Sequence, residues 1–195
     1  MTELFALNVR NIDVTEELLD KVSARRREYI SRVKNPNAKK LCLGAGLLIA
    51  KLIGPDEKTD DKGKPFVFGK NEFSISHSED IVLIAVSDKK VGADIEFMDK
   101  KDVLKLAKRF MTESEYRIIL ASEHPQKEFY AIWTKKESFV KMQGTGFDKD
   151  PSKIDVLNRT DCKFFTCEYS QYMISVCFND DIEEKITFFE AGELF

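Results

Sequence analysis

The sequence predicts an α+β fold with antiparallel sheets, and three observations carry that prediction. Helical and strand patterns come in blocks, helices then strands, and the same order appears twice along the chain. Short apolar runs bounded by turn residues stand where buried strands are expected. The longest nearly apolar run, Leu41 to Ala50, is stopped by Lys51, far short of the ~20 residues a membrane span needs.

Taken in order, a polar–apolar pattern from Thr15 to Lys34 predicts a helix, with Thr15 as N-cap. Pro36 and Asn37 break it. A more apolar helix is predicted from Ala38 to Ile53, ended by Gly54-Pro55. Asp56 to Lys64 is a charged loop. Glu72 to His77 alternates, with Phe73 and Ile75 on one face and Ser74 and Ser76 on the other, which is a strand signature. Ile81 to Val86 is a continuous apolar run, hence a buried strand, and Val91 to Phe97 is a further strand. Helices follow over Asp102–Phe110 and Thr112–Ala121, the second opened by a capping box of Thr112 with Glu115. A longer helix over Pro125–Gln143 is closed by Gly144-Thr145-Gly146. Three strands complete the chain, Cys162–Tyr169, Tyr172–Phe178 and Lys185–Glu190.

Composition narrows the function classes. At 195 residues, with 43% apolar and 33% charged side chains, the chain suits one globular domain and not a disordered segment. A net charge of −3 argues against a nucleic-acid binder. Charge is nevertheless uneven: between Lys21 and Lys40 there are eight basic residues and one acid, Glu28, which suggests a local anion site or else a solvated helix face. The first residues lack the basic and apolar regions of a signal peptide, and the four cysteines form no CxxC pair, so the expectation is a cytoplasmic protein with buried free thiols. Two histidines and scattered cysteines form no zinc pattern; a hard cation on carboxylate oxygens is the better expectation if a metal is used.

Three constellations can carry chemistry. In Gly92-Ala93-Asp94-Ile95-Glu96, residues two apart on a strand share a face, so Asp94 and Glu96 present two carboxylates together. Such a pair repels itself unless a cation sits between them or water hydrates both. In Trp133-Thr134-Lys135-Lys136-Glu137-Ser138-Phe139-Val140-Lys141, helical spacing sets Trp133, Glu137 and Lys141 along one face. Phe129, Trp133 and Val140 make part of that helix apolar, so a Glu or Lys beside them needs a buried partner. In Phe73-Ser74-Ile75-Ser76-His77-Ser78, hydroxyls flank a histidine at a strand end, a set of donors suited to phosphate.

Gly63-Lys64-Pro65, then Phe73-Ser74-Ile75-Ser76-His77-Ser78, then Val91-Gly92-Ala93-Asp94-Ile95-Glu96, then the motif from Trp133 to Lys141, in that order along the chain, closely resembles the 4′-phosphopantetheinyl transferases, in particular the longer subtype that activates surfactin synthetase and other peptide and polyketide synthetases. Arg109-Phe110-Met111-Thr112 with Glu115, and Gly144-Thr145-Gly146, add to the match, which runs from about Arg25 to Phe147. The resemblance implies a pseudo-dimer of two similar α+β halves, about 1–98 and 99–195, with the active site in the cleft between them. It implies transfer of the 4′-phosphopantetheine of coenzyme A to a serine of an apo carrier protein, releasing 3′,5′-ADP. Asp94, Glu96 and Glu137 would hold Mg²⁺, with Mn²⁺ as the alternative ion. Glu137, or a water it orients, would take the serine proton, and Lys141 would stabilise the pyrophosphate charge. Lys64, Ser76 and His77 match positions at the nucleotide end of coenzyme A, and Arg25 and Lys40 match the region that binds its phosphates. The implied partners are coenzyme A and an acyl, peptidyl or aryl carrier protein, met by a monomer with no nucleic-acid or membrane partner.

The chain departs from the family pattern at Lys40-Leu41, where an Arg and a small or hydroxyl residue are usual; a lysine meets phosphate as a point charge without the bidentate fork. Ser74 stands where Asn is common. The short holo-acyl-carrier-protein synthase type is about half this length and assembles as trimers. A non-catalytic homologue binding coenzyme A or a carrier is the reading from another class, and it would be expected to have lost one of the three acids or Lys141.

Overall fold

The computed structural model describes residues 1–99, 101–146 and 150–194. The chain opens on a strand, β1 (Thr2–Asn8), followed by helices α1 (Glu16–Leu19), α2 (Ala24–Arg32) and α3 (Pro36–Leu52). Two-residue strands β2 (Lys58–Thr59) and β3 (Pro65–Phe66) frame a loop, and strands β4 (Glu72–Ser78), β5 (Ile81–Ser87) and β6 (Gly92–Phe97) follow. Helices α4 (Val103–Phe110), α5 (Glu113–Ala121) and α6 (Pro125–Gln143) precede β7 (Lys163–Tyr169), β8 (Tyr172–Phe178) and β9 (Ile182–Phe189). Among the described residues no helix is long and apolar enough to cross a membrane.

The α+β class holds, with corrections to its elements. The single helix expected from Thr15 to Lys34 is two helices. Thr15 does cap the first, but Ser23 accepts from the Arg26 amide and starts the second, while Val22 turns inward between them. The strand β1 was not expected, and β9 begins three residues earlier than the predicted Lys185. Helix α3 starts at Pro36, which occupies the first turn, where a missing amide costs nothing, with Asn35 as its cap. All four cysteines are free thiols, but Cys42 and Cys167 are only half-buried.

One sheet has the order β4-β5-β1-β9, antiparallel except for the parallel pairing of β1 with β9. The other is antiparallel in the order β6-β8-β7, with Asp94 opposite Ser175 and Glu96 opposite Met173. The last strand therefore lies in the sheet built from the first part of the chain. Strand alternation sorts the side chains into layers. Leu7, Val82 and Ile84 face Leu43, Leu47 and Leu48 of α3. Leu4, Ala6, Leu83 and Ala85 meet Ala93, Ile95, Ile174 and Val176 in a layer shared by both sheets. Met173 and Cys177 face Phe129, Ile132 and Val140 of α6. The order is helix, sheet, sheet, helix, and β6 presents its even-numbered residues to α6.

Candidate functional site

The site begins with how closely β6 lies on α6. A Cβ built on Gly92 would stand 1.8 Å from the Ser138 carbonyl oxygen and 2.4 Å from the Met142 amide nitrogen, so only glycine lets strand and helix backbones touch here. Two and four residues on, the same strand face delivers Asp94 and Glu96 to the helix stripe of Trp133, Glu137 and Lys141. The Gly144 cap, in the left-handed region at φ 65°, ends α6 one turn beyond Lys141.

Lys141 Nζ lies 2.7 Å from Asp94 Oδ1 and 2.8 Å from Ser76 Oγ, and the Ser76 hydroxyl donates to the same Asp94 oxygen at 2.8 Å. The second oxygen of this buried carboxylate, Asp94 Oδ2, has no hydrogen-bond partner. A buried, unpaired carboxylate oxygen beside further acids is costly. Glu96 takes the Trp133 indole N–H on Oε1 at 3.3 Å and is approached by Ser78 Oγ at 3.5 Å on Oε2. Burial, and then the Asp94 charge, raise the Glu96 pKa above its ordinary 4.5. The same two causes, opposed by Lys141, push Glu137 up to about 8.

The serines of β4 have a second task. Ser74 Oγ accepts from the Ala93 amide and Ser78 Oγ from the Phe97 amide, both at 2.9 Å. These hydroxyls satisfy backbone donors on the free edge of β6 and join the two sheets where no backbone ladder runs. The sequence placed Ser74 and Ser76 on one face; that this face meets β6 required the fold.

A cavity of about 340 Å³ lies against Glu137 and Lys141, with Lys62, Lys64 and Ile75 in its walls. A neighbouring cavity of about 260 Å³ shares Gly63, Pro65 and Ile75 with it and is lined by Arg25, Arg26, Tyr29 and His77. The imidazole of His77 reaches solvent, yet surrounding atoms displace enough water to lower its pKa, and the charges of Lys141 and Arg26 lower it further. Lys64 Nζ stands 3.6 Å from Glu72. Lys40 points elsewhere: its ammonium donates to the Arg10 carbonyl at 2.7 Å. Thus Ser76, Asp94, Glu96, Glu137 and Lys141 gather along the seam of the two sheets, Lys64 lines the cavity against Glu137 and Lys141, Arg25 and His77 share the adjoining cavity, and Lys40 stands apart.

Two residues had no assigned part in the sequence reading. Arg26 donates from Nε to Glu57 at 2.6 Å and from a terminal nitrogen to the Cys42 carbonyl at 3.1 Å, tying α2 to α3 and bringing a positive charge near His77. Lys136, fully buried, pairs with Glu115 at 2.6 Å and donates to the carbonyls of Pro151 and Ile154. Glu115 completes the predicted capping box at Thr112 and also accepts from the Val156 amide, so its place is structural. Lys136 was hidden because a lysine beside Lys135 gives no sign of burial.

The donors at the seam are hard carboxylate oxygens, the type that suits a divalent cation. Among the described residues, however, no three His, Cys, Asp or Glu side chains stand as a ready-made metal cluster. The Lys141 ammonium is the cation now seated on Asp94.

Comparison with known proteins reaches the strand and helix that carry Asp94, Glu96, Glu137 and Lys141. The family model described as the 4′-phosphopantetheinyl transferase superfamily matches residues 90–187. A 4′-phosphopantetheinyl transferase of Bacillus subtilis is 34% identical over 145 residues, 67% of this chain and 64% of that one. The 4′-phosphopantetheinyl transferase Sfp of Bacillus subtilis strain 168 is 38% identical over 92 residues, 45% of this chain and 41% of that one. A crystal structure of Thermotoga maritima holo-(acyl-carrier-protein) synthase aligns with a TM-score of 0.40 and 19% identity, covering 45% of this chain and 61% of that one. The matches span less than two thirds of the length of these relatives.

Proposed function

This chain belongs to the 4′-phosphopantetheinyl transferase superfamily, with its similarity to the Sfp-like members, and from that premise we propose that it transfers 4′-phosphopantetheine from coenzyme A to a carrier-protein serine. The observation that carries the reading is that Lys141, in the wall of a cavity with Glu137, is paired with Asp94 and Ser76, while the Asp94 charge acts on both Glu96 and Glu137; the three acids and Lys141 all come from the family-matched region. In the reaction a bond forms between the serine Oγ and the β-phosphorus of coenzyme A. The bond from that phosphorus to the leaving 3′,5′-ADP breaks, and the serine proton is taken up.

The side chains suit those needs. Lys141 and Lys64 bring positive charge to a cavity with room for a pyrophosphate, which favours the negative charge that moves to the leaving group. Glu137 would accept the serine proton directly or through a water it orients. Asp94, Glu96 and Glu137 would hold a divalent cation, Mg²⁺ or Mn²⁺. The unpartnered Asp94 Oδ2 and the raised pKa values of the other two acids fit such an ion, which when bound would neutralise pyrophosphate charge. Lys64, Ser76 and His77 would meet the nucleotide end of coenzyme A and Arg25 its phosphates, whereas Lys40, turned to the Arg10 carbonyl, would not take part in this conformation. The division expected at about 1–98 and 99–195 would be crossed at the cleft, because β6 joins the sheet of β7 and β8 while β9 joins that of β1; the two sheets would flank the cleft, in a cytoplasmic monomer that meets its carrier transiently.

The test is mass spectrometry of an apo carrier protein incubated with this protein, coenzyme A and Mg²⁺, with an EDTA control. Gain of one phosphopantetheine on the serine, lost with EDTA, is expected. A folded protein that binds coenzyme A and modifies no peptidyl, acyl or aryl carrier would be a binding homologue. Failure to bind coenzyme A at all would refute the reading.

A further inference from the structure

Trp133 is the only tryptophan in the chain, and its indole N–H is spent on Glu96. The ring is wedged. Phe129 lies parallel to it, with centroids 6.4 Å apart and an interplanar angle of 5°, and Phe110 sits at 5.5 Å on a tilt. Packing of this kind leaves the indole few rotamers, so its N–H has a set direction. An indole nitrogen can only donate and an ionised carboxylate can only accept, so the polarity of the bond is fixed as well.

The two strand acids are treated alike. On Asp94, Ser76 and Lys141 occupy Oδ1 and leave Oδ2 without a partner. On Glu96, Trp133 holds Oε1, and Oε2 has only the long approach of Ser78. Each acid is thus anchored by one oxygen and offers the other. Among the described residues no side chain anchors Glu137, the third acid, in this way.

We infer that Trp133 is a positioning residue: its indole N–H orients Glu96 so that the other carboxylate oxygen is presented to a divalent cation. The inference rests on the proposed role of Glu96 as a ligand and goes beyond it by assigning the group that aims it. Groups that orient a metal ligand from behind typically contribute 10–100-fold in affinity.

Trp133→Phe keeps a ring in the aromatic stack and removes the donor. Calorimetric titration of the full chain with Mn²⁺, free of coenzyme A, should show binding weakened about tenfold, with cooperative melting retained in EDTA. Glu96→Gln and the double variant close a cycle: once Glu96 is changed, Trp133→Phe should cost nothing more. Unaltered Mn²⁺ affinity in Trp133→Phe, or the same loss in both backgrounds, overturns the inference. If Trp133→Phe does not fold, the wild-type protein decides. Trp133 fluorescence that shifts with saturating Mg²⁺, and does not shift in Glu96→Gln, supports the assignment, and no shift despite calorimetric binding overturns it. A wild-type protein that binds neither Mn²⁺ nor Mg²⁺ refutes the ligand role of Glu96 itself.

Discussion

Replacing Glu137 with glutamine should stabilise the metal-free protein, and by more at high pH than at low. The ordinary glutamate pKa of 4.5 is raised to about 8 in the fold, first by burial and then by the neighbouring Asp94, with Lys141 opposing and Glu96 adding. Below pH 4.5 the carboxyl is neutral in both folded and unfolded chains, and the fold carries no penalty. Between 4.5 and about 8 the folded state keeps a proton that the unfolded state has released, so stability falls as pH rises, by about 1.4 kcal/mol per unit. From pH 6 to pH 8 this amounts to about 2–3 kcal/mol, and the decline ends above the folded pKa. The glutamine variant lacks the ionisation, so the difference between the two proteins isolates Glu137 from Glu96 and His77, which titrate in both. Urea unfolding in EDTA, followed by circular dichroism at pH 6, 7, 8 and 9, measures it. A difference that stays flat across this range would show that Glu137 is already ionised in the fold, and burial and the Asp94 charge would then not hold its proton as described.

Gly92→Ala should cost about 3 kcal/mol or more, because the colliding atoms are helix backbone and cannot swing aside; unfolding by urea would reveal an unexpectedly tolerant contact as a loss under 1 kcal/mol. Lys136→Met should cost about 3–5 kcal/mol by leaving Glu115 buried and unpaired, and adding Glu115→Gln should recover part of it; equal stability of the two variants would remove the pair from the account. Asp94→Ala should abolish carrier modification in the mass assay while the protein still melts cooperatively in EDTA. Its loss removes Lys141's partner but also relieves the charge raising Glu96 and Glu137, and undiminished transfer would take Asp94 out of the site.

Much of the secondary structure was legible because its signals are local. Helix α6 runs over the residues its pattern delimits, and the capping box at Thr112 forms as the spacing indicates. The errors have physical causes. Strand β1 is buried on both faces, Leu4 and Ala6 in one layer and Leu7 in another, so it shows no polar–apolar alternation to read. The break at Lys21–Ser23 depends on Val22 reaching the core, which a helical pattern across the gap conceals. Strand β9 begins at Ile182 because Thr2 pairs with it there, a contact no local window contains.

For the candidate site, the sequence alone determined which side chains share a face: Asp94 with Glu96 by the two-residue strand period, and Trp133, Glu137 and Lys141 by the helical one. Those periods are properties of a single element. Only the tertiary structure decided that the two faces meet, that Lys141 reaches across 47 residues to Asp94 and 65 to Ser76, and that Glu96 is held by Trp133. It alone decided that Lys136 and Glu115 are buried supports and that Lys40 turns toward Arg10. The reason is that pairing, burial and the pKa values they set arise from charges and water excluded by distant segments, which residue spacing along one chain does not encode.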